Sequence, residues 1–264
     1  MKNNTVLEVK NLTMRFGGLV AVDDLSFDVK EKEIVGIIGP NGAGKTTVFN
    51  CITQFYKDDE GEIWFRDKTG TEINLNNIKV TDVINYGLVR TFQNIELVKD
   101  LSIIDNVLIG AHKGFKFDVF SHIFKTKKAA EEEENIREKA MSILKTLKLD
   151  QVCNQLVYGQ PYGVLKKVEI ARTLMLDPKV IILDEPAAGL NDKETSELAD
   201  IINKIKNDFN CSIVLIEHDM GFVMDICDRI CAINFGKFLA MDIPKKIQQN
   251  PLVQEAYLGG DDDE

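Results

Sequence analysis

Residues 39–46 read Gly39-Pro40-Asn41-Gly42-Ala43-Gly44-Lys45-Thr46, three glycines followed by an ammonium and a hydroxyl. This is the GxxxxGK[ST] spacing, and each position has a task in holding phosphate. The glycines let backbone N–H groups turn inward onto phosphate oxygens. The helix that follows adds the partial positive charge of its N-terminus. Lys45 can reach the outer phosphates, and the Thr46 hydroxyl can ligate Mg²⁺. A second group is Val180-Ile181-Ile182-Leu183-Asp184-Glu185, an apolar run that ends in two carboxylates. Beside a phosphate loop, Asp184 is placed to hold Mg²⁺, directly or through water. Glu185 is placed to polarise an attacking water as a general base. A third is His218, which follows the apolar run Ser212–Ile216 and Glu217. Its imidazole can contact a γ-phosphate if that run is the neighbouring strand.

Such chemistry requires strands that end together, and the chain supplies them. Val6–Val9 and Leu25–Val29 alternate apolar and polar residues, the period of half-buried strands. Glu33–Ile38 is nearly continuous and apolar, as a strand covered on both faces would be, and it runs into the glycine loop. A helix is expected over Thr46–Thr53. Gly61–Arg66 and Ile73–Leu75 read as a hairpin. A helix over 129–148 buries Ile136, Ala140, Ile143, Leu144 and Leu147, with Glu131–Glu134 on its solvated face. Phe115–Phe124 is aromatic and fits a core or a partner surface equally. Beyond Tyr162 the spacing gives a helix at about 163–176, strand 180–183 and a helix at about 192–208. It continues with strand 212–216, a helix near 219–228 and strand 230–234. Asn191 and Glu194 form a capping-box pattern at the start of the 192–208 helix. Strands alternating with helices imply an α/β fold with a mostly parallel sheet covered on both sides.

Composition narrows the class. The 264 residues carry 32 Lys and Arg against 42 Asp and Glu, a formal net charge of -10. A broad nucleic-acid surface needs a basic face, so none is expected. No apolar run approaches the roughly 18 residues of a spanning helix. Met1–Thr5 lacks the apolar stretch of a secretory signal, so a cytoplasmic protein is expected. The five cysteines form no CxxC pair and read as buried free thiols. Asp261–Glu264 reads as an acidic tail.

Together these motifs resemble the ATPase of ABC transporters over residues 5–259, nearly the whole chain. The resemblance implies a P-loop NTPase with a mostly parallel core, an antiparallel β subdomain and a helical subdomain. The core and β subdomain would span about 5–92 and 177–240. The helical subdomain would span about 93–176, followed by a C-terminal helix at about 244–258 and a tail at 260–264. It also implies roles. Phe16 would stack on adenine, with Val22 also contacting nucleotide. The phosphate contacts of Gly39, Pro40, Asn41, Gly42, Ala43, Gly44, Lys45 and Thr46 would extend to Thr47. Gln93, in Arg90-Thr91-Phe92-Gln93-Asn94, would meet Mg²⁺ alongside Thr46 and Asp184 and couple to a membrane subunit. Ala188–Asn191 would be the D-loop, and His218 the switch histidine beside the catalytic Glu185.

Phe16-Gly17-Gly18-Leu19-Val20-Ala21-Val22 and Asp184–Asn191 are similar to the G-type ATPase of branched-chain amino-acid importers. Ile216–Met220 and the ending from Asn250 to Gly259 are similar to it as well. The ATPase of lipopolysaccharide export shares some of these features. The implied cofactors are ATP and Mg²⁺. The implied partners are membrane permeases, a second ATPase subunit and, indirectly, a substrate-binding protein, which would make the chain peripheral on the inner face of the membrane. The signature departs from LSGGQ. Leu156–Gln160 matches better by letter. Counting back from Ile170-Ala171-Arg172 instead favours Gln160-Pro161-Tyr162-Gly163-Val164, where Pro161 replaces the serine and Tyr162 and Gly163 would face phosphate. A GTP switch is disfavoured because Asn203-Lys204-Ile205-Lys206 lacks the aspartate of NKxD. A repair or translation ATPase would bring tandem cassettes or coiled-coil insertions. A module that binds ATP without cleaving it sits poorly with Glu185 and His218, though Pro161 favours it mildly.

Overall fold

In the computed structural model, residues 1, 4–91, 95–111 and 127–258 are described. Gln93, the Phe115–Phe124 segment and the acidic tail lie outside them. The chain begins with a long hairpin, β1 (Thr5–Phe16) and β2 (Leu19–Lys30), turned at Gly17 and Gly18. Both strands extend well past the alternating segments visible in sequence. Register shifts along the pair break the alternation and hide the rest of each strand from a period-2 reading. β3 (Ile34–Ile38) leads through the glycine loop into α1 (Lys45–Ile52). β4 (Glu60–Arg66) and β5 (Glu72–Asn74) pair antiparallel, as the hairpin pattern predicts. The short α2 (Val80–Val83) precedes β6 (Leu88–Arg90), a three-residue strand too brief to register as a pattern.

The next segment is helical, with α3 (Ile103–Ile109), α4 (Lys127–Thr146) and α5 (Tyr162–Leu174). The α/β alternation then returns as β7 (Val180–Asp184), α6 (Asp192–Asp208), β8 (Ser212–Ile216), α7 (Met220–Ile226) and β9 (Arg229–Asn234). β10 (Lys237–Asp242) folds back on β9 and was not legible in sequence. The C-terminal helix expected over 244–258 is two helices, α8 (Pro244–Gln248) and α9 (Pro251–Leu258). Pro251 has no N–H to donate and disfavours the helical conformation at Asn250, so the helix stops and restarts.

Two sheets result. The first has the order β2-β1-β4-β5 and is antiparallel. The second has the order β10-β9-β3-β8-β7-β6, parallel except for the β9–β10 pair. Its strands read as continuous apolar runs because both faces are covered. Ile34, Ile38, Ile181, Leu183, Ile213 and Leu215 face the helical side. Val35, Ile37, Val180, Ile182, Val214 and Ile216 face α1 and the antiparallel sheet. Burying a Val, Leu or Ile side chain contributes about 1.5–3 kcal/mol, so these two layers dominate the stability of the sheet. All five cysteines are buried within this framework. Burial pushes the thiols of Cys51, Cys211 and Cys231 up to about 12 and raises that of Cys227 further. Among the described residues, no helix is long and apolar enough to cross a membrane.

Candidate nucleotide site

Parallel pairing brings the carboxyl ends of β3, β8, β7 and β6 to one edge. Asp184 lies level with Ile216, and Arg90 with Ile182. The glycine loop, His218, Asp184, Glu185 and Arg90 therefore share the edge where open α/β sheets bind ligands. The loop itself is fastened to the sheet. Gly39 is buried so tightly that a Cβ there would stand 2.2 Å from the Ile233 carbonyl oxygen. Gly44, the N-cap of α1, has φ +96°, and a Cβ there would stand 2.5 Å from the Ala21 oxygen. The Lys45 ammonium donates to the Gly39 carbonyl at 2.6 Å and the Pro40 carbonyl at 2.9 Å, folding the side chain back over the loop. Partial burial lowers the Lys45 pKa, while the Glu185 carboxylate opposes that shift. The loop's cation and the candidate base thus sense one another across the site. Thr46 is exposed in the first turn of α1, with Thr47 half-buried behind it.

Asp184 is buried at the end of β7 and does not stand alone. One of its oxygens accepts from the Arg90 guanidinium at 2.6 Å. The same guanidinium donates to Asn50 Oδ1 of α1 at 2.6 Å and lies 5.8 Å above the Phe49 ring. Arg90 thereby ties together β6, β7 and the helix after the phosphate loop, three residues before Gln93. Its role was not legible in sequence, where only the buried carboxylate of Asp184 hinted that a cation was needed. We expect Arg90→Ala to lower unfolding stability by about 3–5 kcal/mol, the cost of stranding one member of a buried ion pair. Denaturant midpoints would measure this, and a loss under 1 kcal/mol would contradict it.

Glu185 follows at φ +47°, in the left-handed region that costs a side-chain-bearing residue about 1–2 kcal/mol. Its N–H donates to the Ile216 carbonyl at 3.0 Å. The neighbouring strand β8 is followed directly by Glu217, whose side chain is fully buried. One Glu217 oxygen accepts from the Ala187 N–H at 2.6 Å, the other from the His218 N–H at 3.1 Å. Burial raises the Glu217 pKa, and bonds from the Ala187, His218 and Asp219 amides oppose that. One carboxylate therefore clips the loop after Asp184 to the loop carrying His218. The burial of Glu217 is not legible in sequence, since a charged letter before a histidine does not announce it. His218 itself is exposed, its Nδ1 3.7 Å from Glu217.

Two expected contacts are set elsewhere. Phe16, at the end of β1, is half open to solvent and meets Tyr56 edge-on with ring centroids 5.3 Å apart. That leaves part of the Phe16 ring available. Val22 is fully buried in the core between the antiparallel sheet and α1, so its side chain packs the interior and does not face a nucleotide. The α5 helix starts at Tyr162 with Pro161 as its N-cap, and no side chain caps it. Residues 22–188 match the family model described as ABC transporter.

The chain belongs to the ABC transporter family. Its fold is the P-loop α/β fold of that family's ATP-binding cassettes. High-affinity branched-chain amino acid transport ATP-binding protein LivG of Salmonella typhimurium is 42% identical over 254 residues, covering 96% of this chain and 98% of LivG. The counterpart BraF of Pseudomonas aeruginosa is 43% identical over the same shares. Among solved structures, the ADP conformation of an ATP-binding cassette of an ABC transporter matches at TM-score 0.81 and 32% identity. That match covers 97% of this ABC chain and 99% of the other.

Proposed function

We propose that this chain hydrolyses ATP as the energy-supplying subunit of an importer for branched-chain amino acids. The observation that carries the chemistry is the convergence of Lys45, Asp184, Glu185 and His218 on one sheet edge. The relatives LivG and BraF, named for branched-chain amino acid transport, support the substrate class. The loop N–H groups and Lys45 bind the phosphates, and Phe16 offers its ring to the base. Mg²⁺ would be held by the Thr46 hydroxyl and Asp184, with Gln93 as a further ligand. The Asp184 oxygen that does not meet Arg90 and the exposed position of Thr46 fit that task. The ion would neutralise charge on the transferring phosphate. Glu185 orients and deprotonates the attacking water, and His218 contacts the γ-phosphate. Two copies, or this chain and a second ATPase, face one another so that Tyr162 and Gly163 of one meet the nucleotide of the other.

Membrane permeases are the second partner class, reached through the Gln93 segment, with a substrate-binding protein acting through them. A groove lined by Ile95, Leu97, Val157, Tyr158, Tyr162 and Leu165 lies at the start of the signature helix. Such an assembly places the chain on the inner face of the membrane. The deciding experiment combines the chain with the membrane subunits encoded beside it in proteoliposomes. ATP-driven uptake of labelled leucine, isoleucine or valine is expected. Extraction of lipopolysaccharide in place of uptake would move the chain to the export branch.

The signature proline has a separate test. The first two N–H groups of α5 belong to Tyr162, which is exposed, and Gly163, which is buried. The N–H groups of Val164 and Leu165 donate to the Pro161 carbonyl at 3.0 and 3.2 Å. Pro161→Ser is therefore expected to change turnover by less than about fivefold, the equivalent of one ordinary hydrogen bond. A larger rise in phosphate release would mean that the missing hydroxyl throttles this protein.

A further inference from the structure

Lys166 is a buried cation outside every motif considered so far, with only 3% of its surface exposed. It sits one turn into α5, behind Tyr162 and Gly163. Its ammonium donates to the backbone carbonyl of Glu185 at 3.3 Å and lies 5.6 Å from the centre of the Tyr162 ring. The same carbonyl accepts from the Ala188 N–H at 3.2 Å. The peptide that leaves Glu185 is thus held by a charge from the signature helix, at the residue whose φ is +47°. Two close approaches run beside this link, one to an aromatic ring and one to a carboxylate. A Cβ on Gly189 would stand 3.2 Å from the Tyr162 ring, and one on Gly163 would stand 3.1 Å from Glu194. The start of α5 therefore leans directly on the turn from Glu185 to Glu194.

We propose that Lys166 is a positioning residue that holds the Glu185 peptide and couples the signature helix to the base of the same chain. The inference rests on the reading of a dimer with shared sites. In such a dimer, Tyr162 and Gly163 meet the nucleotide bound by the partner, while Glu185 acts on the nucleotide bound by its own loop. Lys166 touches both elements, so nucleotide at one site bears on the base at the other. A buried ammonium suits this task. Its hydrogen bond to a carbonyl is charge-assisted, and leaving it unpaired in the interior is costly. The side chain therefore follows the carbonyl when the helix moves.

The test uses the full chain with Mg-ATP and the variants Lys166→Met and Lys166→Arg. Lys166→Met fills the space without charge and is expected to fold, because the Glu185 carbonyl it leaves keeps the Ala188 N–H as a donor. Its kcat should fall by about tenfold, as for one lost hydrogen bond from a charged donor. KM and the affinity for a fluorescent ATP analogue should stay within about twofold, since the phosphate loop is untouched. The Hill coefficient, expected to exceed 1 in the parent chain, should fall towards 1. Lys166→Arg restores the donor and should recover most of the turnover and the cooperativity. Lys166→Met with parental kcat and Hill coefficient would overturn the proposal and leave the shared-site reading standing. Equal losses in nucleotide affinity and turnover, without rescue by arginine, would reduce Lys166 to packing and also overturn it. A parent chain with a Hill coefficient of 1, in which Glu185→Gln still hydrolyses ATP, would overturn both.

Discussion

Glu185→Gln is expected to cut phosphate release by about 10²–10⁴-fold, the range a positioned general base contributes. Nucleotide affinity should stay within about twofold. The amide has nearly the same shape and keeps the contacts of the Glu185 backbone, so the turn survives the exchange. Its N–H still reaches Ile216, and its carbonyl still receives Lys166 and Ala188. What disappears is the carboxylate that offsets the depression of the Lys45 pKa. Loss of that charge leaves Lys45 and the loop N–H groups free to bind phosphate but gives water no base. Phosphate release and binding of a fluorescent ATP analogue, measured on the same preparation, separate the two effects. Undiminished release would remove Glu185 from the mechanism.

Gly39→Ala is the second large effect, and it acts through shape. The added methyl would lie 2.2 Å from the Ile233 carbonyl oxygen and 2.9 Å from the Ala43 Cβ. Ile233 belongs to β9, which is paired to β3 on one side and β10 on the other, so its backbone has no room to retreat. The loop must move instead, carrying the carbonyl that Lys45 holds at 2.6 Å. Overpacking of this kind costs about 1–3 kcal/mol or more. Here it also displaces the groups that grip phosphate, so nucleotide affinity is expected to fall at least about tenfold. Gly18→Ala is the matched control, because nothing lies within 4 Å of its Cβ position. It should stay within about 0.5 kcal/mol of the parent in thermal or chemical unfolding. Equal behaviour of the two variants would refute the close-approach argument.

The contrast between these residues explains how far the sequence could be read. Short-range signals translated well. The glycine loop, the apolar run ahead of Asp184 and the Asn191 capping box each depend on neighbours within a few positions. The capping box is present with both of its hydrogen bonds. What the sequence hid depends on contacts far along the chain. Arg90 meets Asp184 across 94 residues, and Ala187 meets Glu217 across 30. A lone charged letter usually means solvent, and nothing local says that Arg90, Lys166 or Glu217 turns inward. The burial of Val22 is hidden for the same reason, since a motif position does not reveal which strand face is buried. The signature was the middle case. By letter, Leu156–Gln160 looked closer, but the helix begins at Tyr162. That start sets the N–H groups of Tyr162 and Gly163 at the α5 N-terminus, as the spacing from Ile170-Ala171-Arg172 requires.

The buried cysteines have a use beyond filling space. Cys51 lies on α1 behind the phosphate loop, Cys211 and Cys231 lie in or beside central strands, and Cys153 lies among the helices. Only a thiolate reacts quickly with an alkylating or disulfide reagent, and burial keeps Cys51, Cys211 and Cys231 protonated at neutral pH. A reagent therefore gains access when the layer around a given thiol opens. The native chain carries its own set of clocks, spread from the loop helix to the helical side. Labelling rates resolved by mass spectrometry would time the loosening of each layer as ATP binds, without a single engineered probe.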